Sequence, residues 1–253
     1  MKKFIILIAC LCWGFNVFAQ YAEKFKDANA LYNQGKYAEA IDIYESILDK
    51  GMHSSELYFN LGNANYKLNN IAPSIYYYEK SLLLNPNDKE VKNNLAFAQN
   101  MTIDDIEQVP EVGLSKLFKN IVNRASVNTW AYISVSGVFL FVILFLTYHF
   151  SQATSNKRSA FIVSLLAIIV SIVTFFMALK KDEFERNYQP AIVFAEEIKV
   201  KTEPNQRSEE SLRLHEGTKV QVIDTLNNWK KIKLANGSTG WVIASDIKNI
   251  KDF

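Results

Sequence analysis

The chain has 253 residues, 28 of them basic and 26 acidic. That length allows one or two domains, and so even a charge balance supplies no field to hold nucleic acid, which is set aside as a partner. The two cysteines, Cys10 and Cys12, both lie in the first 19 residues; without that stretch there is neither disulfide nor thiol chemistry.

Residues 1–19 read as a targeting segment. Lys2 and Lys3 form its basic end, Phe4 to Trp13 its apolar centre, and Val17-Phe18-Ala19 the stretch that signal peptidase inspects. Cleavage before Gln20 is the preferred reading. Leu7-Ile8-Ala9-Cys10 resembles a lipoprotein box, but it leaves an apolar centre of only six residues. An uncleaved anchor is the third reading. Cleavage at Gln20 leaves 26 basic and 26 acidic residues.

Residues 20–100 contain an internal repeat. Gly35 is followed 34 residues later by Asn69, Ala40 by Ser74, Ile41 by Ile75 and Tyr44 by Tyr78. That period means stacked helix-turn-helix units. Gly35-Lys36-Tyr37-Ala38-Glu39-Ala40-Ile41 in the first unit resembles the tetratricopeptide repeat. So does Tyr58 to Tyr66 with Leu84-Asn85-Pro86-Asn87 in the second, although Met52 stands where the first unit should have proline. The resemblance places Ala28, Ala40, Gly62 and Ser74 where paired helices approach closely. A further helix, Lys89 to Gln99, matches half a unit through Leu95 and Ala96 and would cap the stack. The resemblance also implies a concave peptide-binding face lined by Phe25, Asn29, Tyr32, Asn33, Phe59, Asn63, Tyr66 and Lys67. Asn29 and Asn63, at equivalent positions, would face a bound peptide backbone and solvent in its absence. A plain solvated helix face is the alternative.

Residues 101–129 read as a linker, acidic and proline-bearing up to Val112, followed by an amphipathic helix. Leu114, Leu117, Phe118, Ile121, Val122 and Ala125 fall at helical spacing, with Lys116, Lys119, Asn120, Asn123 and Arg124 on the other face. Such a helix suits a lipid interface; packing against the repeats is the alternative.

Two apolar runs follow, residues 130–150 and 160–179, without a single Asp, Glu, Lys or Arg. Crossing a bilayer as a helix takes about 20 such residues, so both read as transmembrane helices, with Trp130 and Tyr132 as interfacial anchors. Residues 151–159 form a polar loop carrying Lys157 and Arg158. Two crossings return the chain to the side it left. Basic residues flank both sides of the hairpin, so the positive-inside count does not choose an orientation. The targeting segment does, placing both flanking modules in the periplasm.

Residues 180–190 read as a second linker, and residues 191–253 as a small all-β domain. Ile198 to Pro204 alternates and turns, Leu212 and Leu214 precede Glu216-Gly217, and Val220, Val222 and Leu226 continue. Lys230 to Leu234 then meets Asn236-Gly237, a hairpin turn pair. Trp229, Asn236-Gly237 and Gly240-Trp241-Val242 resemble the bacterial SH3-like domain, with Glu203 where that family has glycine. Trp229 and Trp241 are the candidates for a ligand surface there, or for packing.

His53, His149 and His215 are scattered, and no metal-spacing motif, glycine-rich phosphate loop or nucleophile-elbow sequence occurs. Neither a catalytic site nor a cofactor is expected. The fold class is multi-domain: an all-α tetratricopeptide repeat array, a transmembrane helical hairpin and a small all-β SH3-like barrel. This order of segments resembles the BatE-like proteins of the Bacteroides aerotolerance operon family. The resemblance implies partners among von Willebrand factor A-domain membrane proteins and a MoxR-type ATPase. Two binding modules on one membrane face make a non-enzymatic envelope scaffold, on the periplasmic face of the inner membrane, the leading reading. A cell-wall sensor or anchor that holds peptidoglycan through the SH3-like domain is the alternative, and an auxiliary subunit of an envelope hydrolase is a third.

Overall fold

The computed structural model describes residues 20–107, 109 and 113–252; the readings made on residues 1–19 lie outside the described residues. The chain divides into two compact units. One joins the chain before Val109 to the chain from Gln189 onward, and the other is Val109–Tyr188.

The first unit begins with the helical array. Residues 20–33 are helical (α1), followed by α2 (Tyr37–Leu48), α3 (Ser55–Lys67), α4 (Ile71–Leu84) and α5 (Lys89–Gln99). The 34-residue period is visible in the backbone itself. Gly35 and Asn69 both take positive φ, 78° and 61°, a conformation that glycine and asparagine tolerate best. One equivalent hydrogen bond closes each turn, Lys36 N–H to Leu31 O in the first and Asn70 N–H to Asn65 O in the second, each 3.0 Å. Ser54 caps α3 by accepting from the Leu57 N–H, and Asp88 caps α5 by accepting from Glu90 and Val91.

Ala28, Ala40 and Ser74 are wholly buried between helices. Gly62 lies so close to α4 that a Cβ there would sit 2.6 Å from the Tyr78 ring. Position 96 is the third member of the Ala28, Gly62 series, yet Ala96 is exposed. A half unit has no second helix to cover it.

The C-terminal part is one antiparallel sheet of seven strands: β1 (Gln189–Val193), β2 (Glu197–Lys201), β3 (Glu210–His215), β4 (Lys219–Leu226), β5 (Trp229–Lys233), β6 (Thr239–Ile243) and β7 (Ile247–Asn249). Its order is β3-β2-β6-β5-β4-β1-β7. Strands across the whole sheet feed a single core that includes Val193, Ile198, Val200, Leu214, Val220, Ile232, Val242 and Ile247, so the sheet curls around it. The Asn236-Gly237 pair sits between β5 and β6, with Gly237 at φ 86°.

Array and sheet are not separate beads. Ile192 of β1 and Ile250 after β7 share a core with Ala72, Ile75, Tyr76, Val91 and Leu95. Gly217 fits against Thr102, Ile71 and Ile75, and Phe194 meets the Tyr76 ring edge-on at 5.4 Å. Residues 101–107, expected as free linker, are held as well. Ile106 packs on the sheet's core, and Asp104 accepts hydrogen bonds from the His215 N–H at 2.7 Å and the Thr218 hydroxyl at 2.5 Å.

In the second unit, α6 (Leu114–Val122) precedes two long helices, α7 (Val127–Phe150) and α8 (Thr154–Asn187). Both are long and apolar enough to cross a membrane. The connection is shorter than expected, residues 151–153, and Lys157 and Arg158 belong to α8. From Ser151 to Gln189 the chain has neither glycine nor proline, so nothing stops the helix in the polar stretches. At 1.5 Å per residue, α8 is roughly 51 Å long, well beyond a hydrocarbon core of about 30 Å. Residues 180–187, expected as linker, are its last two turns.

Small residues line the seam: Ala160, Ser164, Ala167, Ser171, Thr174 and Ala178 are the buried positions of α8. Ser134 and Ser171 donate to each other's backbone carbonyls at 2.9 and 2.7 Å, and a Cβ on Gly137 would stand 2.9 Å from that of Ser171. Close approach with hydroxyl cross-bonds is how helices associate in lipid, where no hydrophobic force separates helix from solvent.

Gly62→Leu should unfold the array's centre, because the Tyr78 ring cannot retreat from a full side chain. Overpacking of this kind costs about 1–3 kcal/mol or more, to be read as a lowered thermal midpoint, while Lys67→Leu on the exposed end of the same helix should leave the midpoint nearly unchanged.

Candidate peptide-binding groove

The eight groove residues sit on α1 and α3, the first helix of each unit. Asn33 and Lys67 are exposed; the other six are partly buried. The aromatic members pack sideways into the array. Phe25 lies 5.8 Å from the Tyr44 ring, Tyr32 meets Tyr37 edge-on at 5.1 Å, and Phe59 lies 6.0 Å from Tyr78. Phe25 also lines a cavity of about 210 Å³ with Tyr21, Ile47, Met52, His53 and Leu57.

The two asparagines do something the sequence reading did not give them. Asn29 Oδ1 accepts from the Tyr44 hydroxyl at 2.5 Å and from Asn60 Nδ2 at 2.9 Å. Asn63 Oδ1 accepts from the Tyr78 hydroxyl at 2.6 Å and from Asn94 Nδ2 at 2.9 Å. Both sets repeat with the 34-residue period. Tyr44 and Tyr78 are each 1% exposed. Burial pushes the Tyr44 phenol up to about 12 and raises that of Tyr78, so both hydroxyls stay protonated and donate. A carbonyl oxygen has two lone pairs, and here two internal donors fill them. The pairing of donor and acceptor expected toward a peptide backbone is therefore closed on the acceptor side, leaving the amide N–H groups as what these side chains can offer. The expectation that both positions merely face solvent is corrected: each satisfies a buried tyrosine. Asn60 and Asn94 were missed, although they stand 34 residues apart on α3 and α5 and could have been found by the same period.

On the sheet, Trp229 and Trp241 are partly buried on the face away from the core. Trp241 has Lys201 of β2 as register partner on one side and Lys231 of β5 on the other, and the Lys231 ammonium lies 5.8 Å from its ring centroid. Trp229 pairs with Ile243 and Leu226. Glu203 occupies the turn after β2, where its carbonyl accepts from the Asn205 N–H and the Ser208 hydroxyl. Among the described residues no cluster of His, Cys, Asp or Glu could hold a metal ion.

Asp104, in the segment after α5, is bonded to the sheet by several groups at once. Burial pushes its carboxyl up, but the Thr218 hydroxyl, the His215 N–H and the His215 imidazole at 2.7 Å outweigh it and hold the group below its ordinary 3.8.

Asn29→Ala with Asn63→Ala should lower the thermal midpoint, because two buried phenols and two amides lose their acceptor. An unsatisfied buried group costs about 1–3 kcal/mol; Asn33→Ala, on the exposed edge, is the control and should leave the midpoint unchanged. A depressed carboxyl contributes stability above its unfolded value, and that contribution is lost as pH falls through the lower folded value. Asp104→Asn should therefore destabilise the first unit at neutral pH and flatten its loss of stability below pH 3.8, as acid unfolding followed by circular dichroism would report.

Comparison with known families agrees with this geometry in two places. Residues 55–88 match the tetratricopeptide repeat family, which covers α3 and α4. Residues 196–248 match the bacterial SH3 domain, which runs from β2 into β7. No curated protein matches the chain. The chain thus combines a helical repeat region, two long apolar helices and an all-β domain of SH3 type; tetratricopeptide repeats and SH3 domains are typically non-catalytic interaction modules.

Proposed function

We propose that the chain is a membrane-anchored, non-enzymatic scaffold that presents its repeat array and SH3-like sheet to protein partners on the periplasmic face of the inner membrane. One observation carries the reading: the modules on either side of the apolar helices fold into one body. They must then share a membrane face, which asks for an even number of crossings between them. The pair α7 and α8 supplies that number. The periplasmic side rests on the targeting segment. Assembly of an envelope stress or aerotolerance complex, with von Willebrand factor A-domain membrane proteins and a MoxR-type ATPase as partners, rests on the resemblance in segment order.

A second reading has its own support. Trp241 between Lys201 and Lys231 pairs a flat apolar ring with cations, a surface suited to an acidic wall polymer such as peptidoglycan.

Affinity capture from solubilised membranes tests the first reading. Named protein partners, lost when the groove carries Asn33→Glu with Lys67→Glu, are the expected outcome. Retention on isolated sacculi without protein partners, abolished by Trp241→Ala, would replace it with the second. Protease added to spheroplasts should cut loops of both modules and spare the chain beside Lys157; cleavage there would reverse the orientation.

A further inference from the structure

The helix α6 has an apolar face that the described residues of its own unit leave open. Gly113, at φ 83°, breaks the chain ahead of it. Leu114, Leu117, Phe118 and Ile121, at successive spacings of three, one and three, are 85%, 60%, 40% and 41% exposed. Val122, on the flank of the same face, is wholly buried, and its carbonyl accepts from the Trp130 indole N–H at 2.9 Å. That bond ties the end of α6 to the first turn of α7. Asn123, just past α6, accepts from the Lys181 ammonium of α8 at 3.0 Å. So α6 is fixed to the ends of both long helices while its apolar face stays open.

The charge is one-sided. From Gly113 to Trp130 the chain has Lys116, Lys119 and Arg124 and no acidic residue. On a helical wheel Lys116 and Lys119 fall opposite the apolar face. A short helix with an open apolar face and a cationic back, tied to two helices that cross a bilayer, has one surface always within reach. We propose that α6 lies in the plane of an anionic bilayer leaflet, with Leu114, Leu117, Phe118 and Ile121 among the acyl chains and Lys116, Lys119 and Arg124 at the acidic headgroups. The inference rests on the reading of α7 and α8 as membrane spans and adds a lipid-binding surface to it.

The test is a depth profile of the full chain. Single cysteines are placed from Leu114 to Ile121 in a background with Cys10→Ser and Cys12→Ser. Each is labelled with a nitroxide and reconstituted in vesicles of phosphatidylethanolamine and phosphatidylglycerol. The expected result is a helical period. Labels at 114, 117, 118 and 121 collide with oxygen more than with a water-soluble nickel complex, and labels at 116 and 119 do the reverse. In phosphatidylcholine alone the apolar labels should become shallower. A label replacing Phe139, 67% exposed on α7, reports separately on the span. If position 139 lies in hydrocarbon and residues 114–121 are all open to the nickel complex, the lipid-surface proposal falls and the anchor stands. Exclusion of both reagents at 117 and 118 overturns it too, showing α6 packed on protein. A water-exposed label at 139 overturns the anchor and the proposal together.

Discussion

The first unit depends on a cation in the wrong place. Lys80, in the middle of α4, is 5% exposed, and its ammonium lies 5.1 and 5.0 Å from the Tyr58 and Tyr76 rings. Taking such a group out of water costs several kcal/mol, and only close pairing offsets that. The partner comes from the chain beyond β7: Asp252 forms the ion pair with Lys80 and accepts from the Tyr76 hydroxyl at 2.6 Å. Burial raises the Tyr76 phenol, which keeps it a donor. For Asp252 to arrive, Ile250 must bury between array and sheet, where its N–H bonds to Pro190 O at 2.8 Å. A second pair, Lys219 to Glu79 at 2.7 Å, closes the same face of α4. One helix face thereby selects the docking of the whole sheet.

This constraint explains why a modular reading of the chain was incomplete. Repeat and sheet are each recognisable from local pattern. Gly35 and Asn69 announce the turns, Gly62 the close helix pair, and Gly240-Trp241-Val242 the strand whose glycine lies under Val200. Docking leaves no such trace. Lys80 in a helix reads as solvated, Asp104 in an acidic stretch reads as linker, and Ile250 reads as the end of a strand. Each acquires its role from residues more than a hundred positions away, and neither period nor composition carries that distance.

The groove was legible in part. Its helices and their register follow from the 34-residue period, and the tyrosines at 44 and 78 from the same count. What the pattern could not say is which polar groups the array uses up internally. Asn29 and Asn63 carry one side chain type at one helical position, consistent with binding and with support alike. Only the hydroxyls of Tyr44 and Tyr78, pointing at them from the next helix, decide how the amide oxygens are used. The long helix α8 differed from expectation for the opposite reason: with no glycine or proline to stop it, helical propensity carried it through polar stretches that composition marks as loops.

The pair between Lys80 and Asp252 spans 172 positions of sequence, and the loop it closes contains both apolar helices. Loops of that length close slowly, because chain entropy must be given up before any contact rewards it. During synthesis α4 is therefore made long before its partner exists, with Lys80, Ile75 and Tyr76 waiting in an open face. The hairpin of α7 and α8 is made in that interval, and the body is sealed last. Until Asp252 is added, that apolar and cationic face stays uncovered, so the interior of the first unit is completed only by residues made after both long helices.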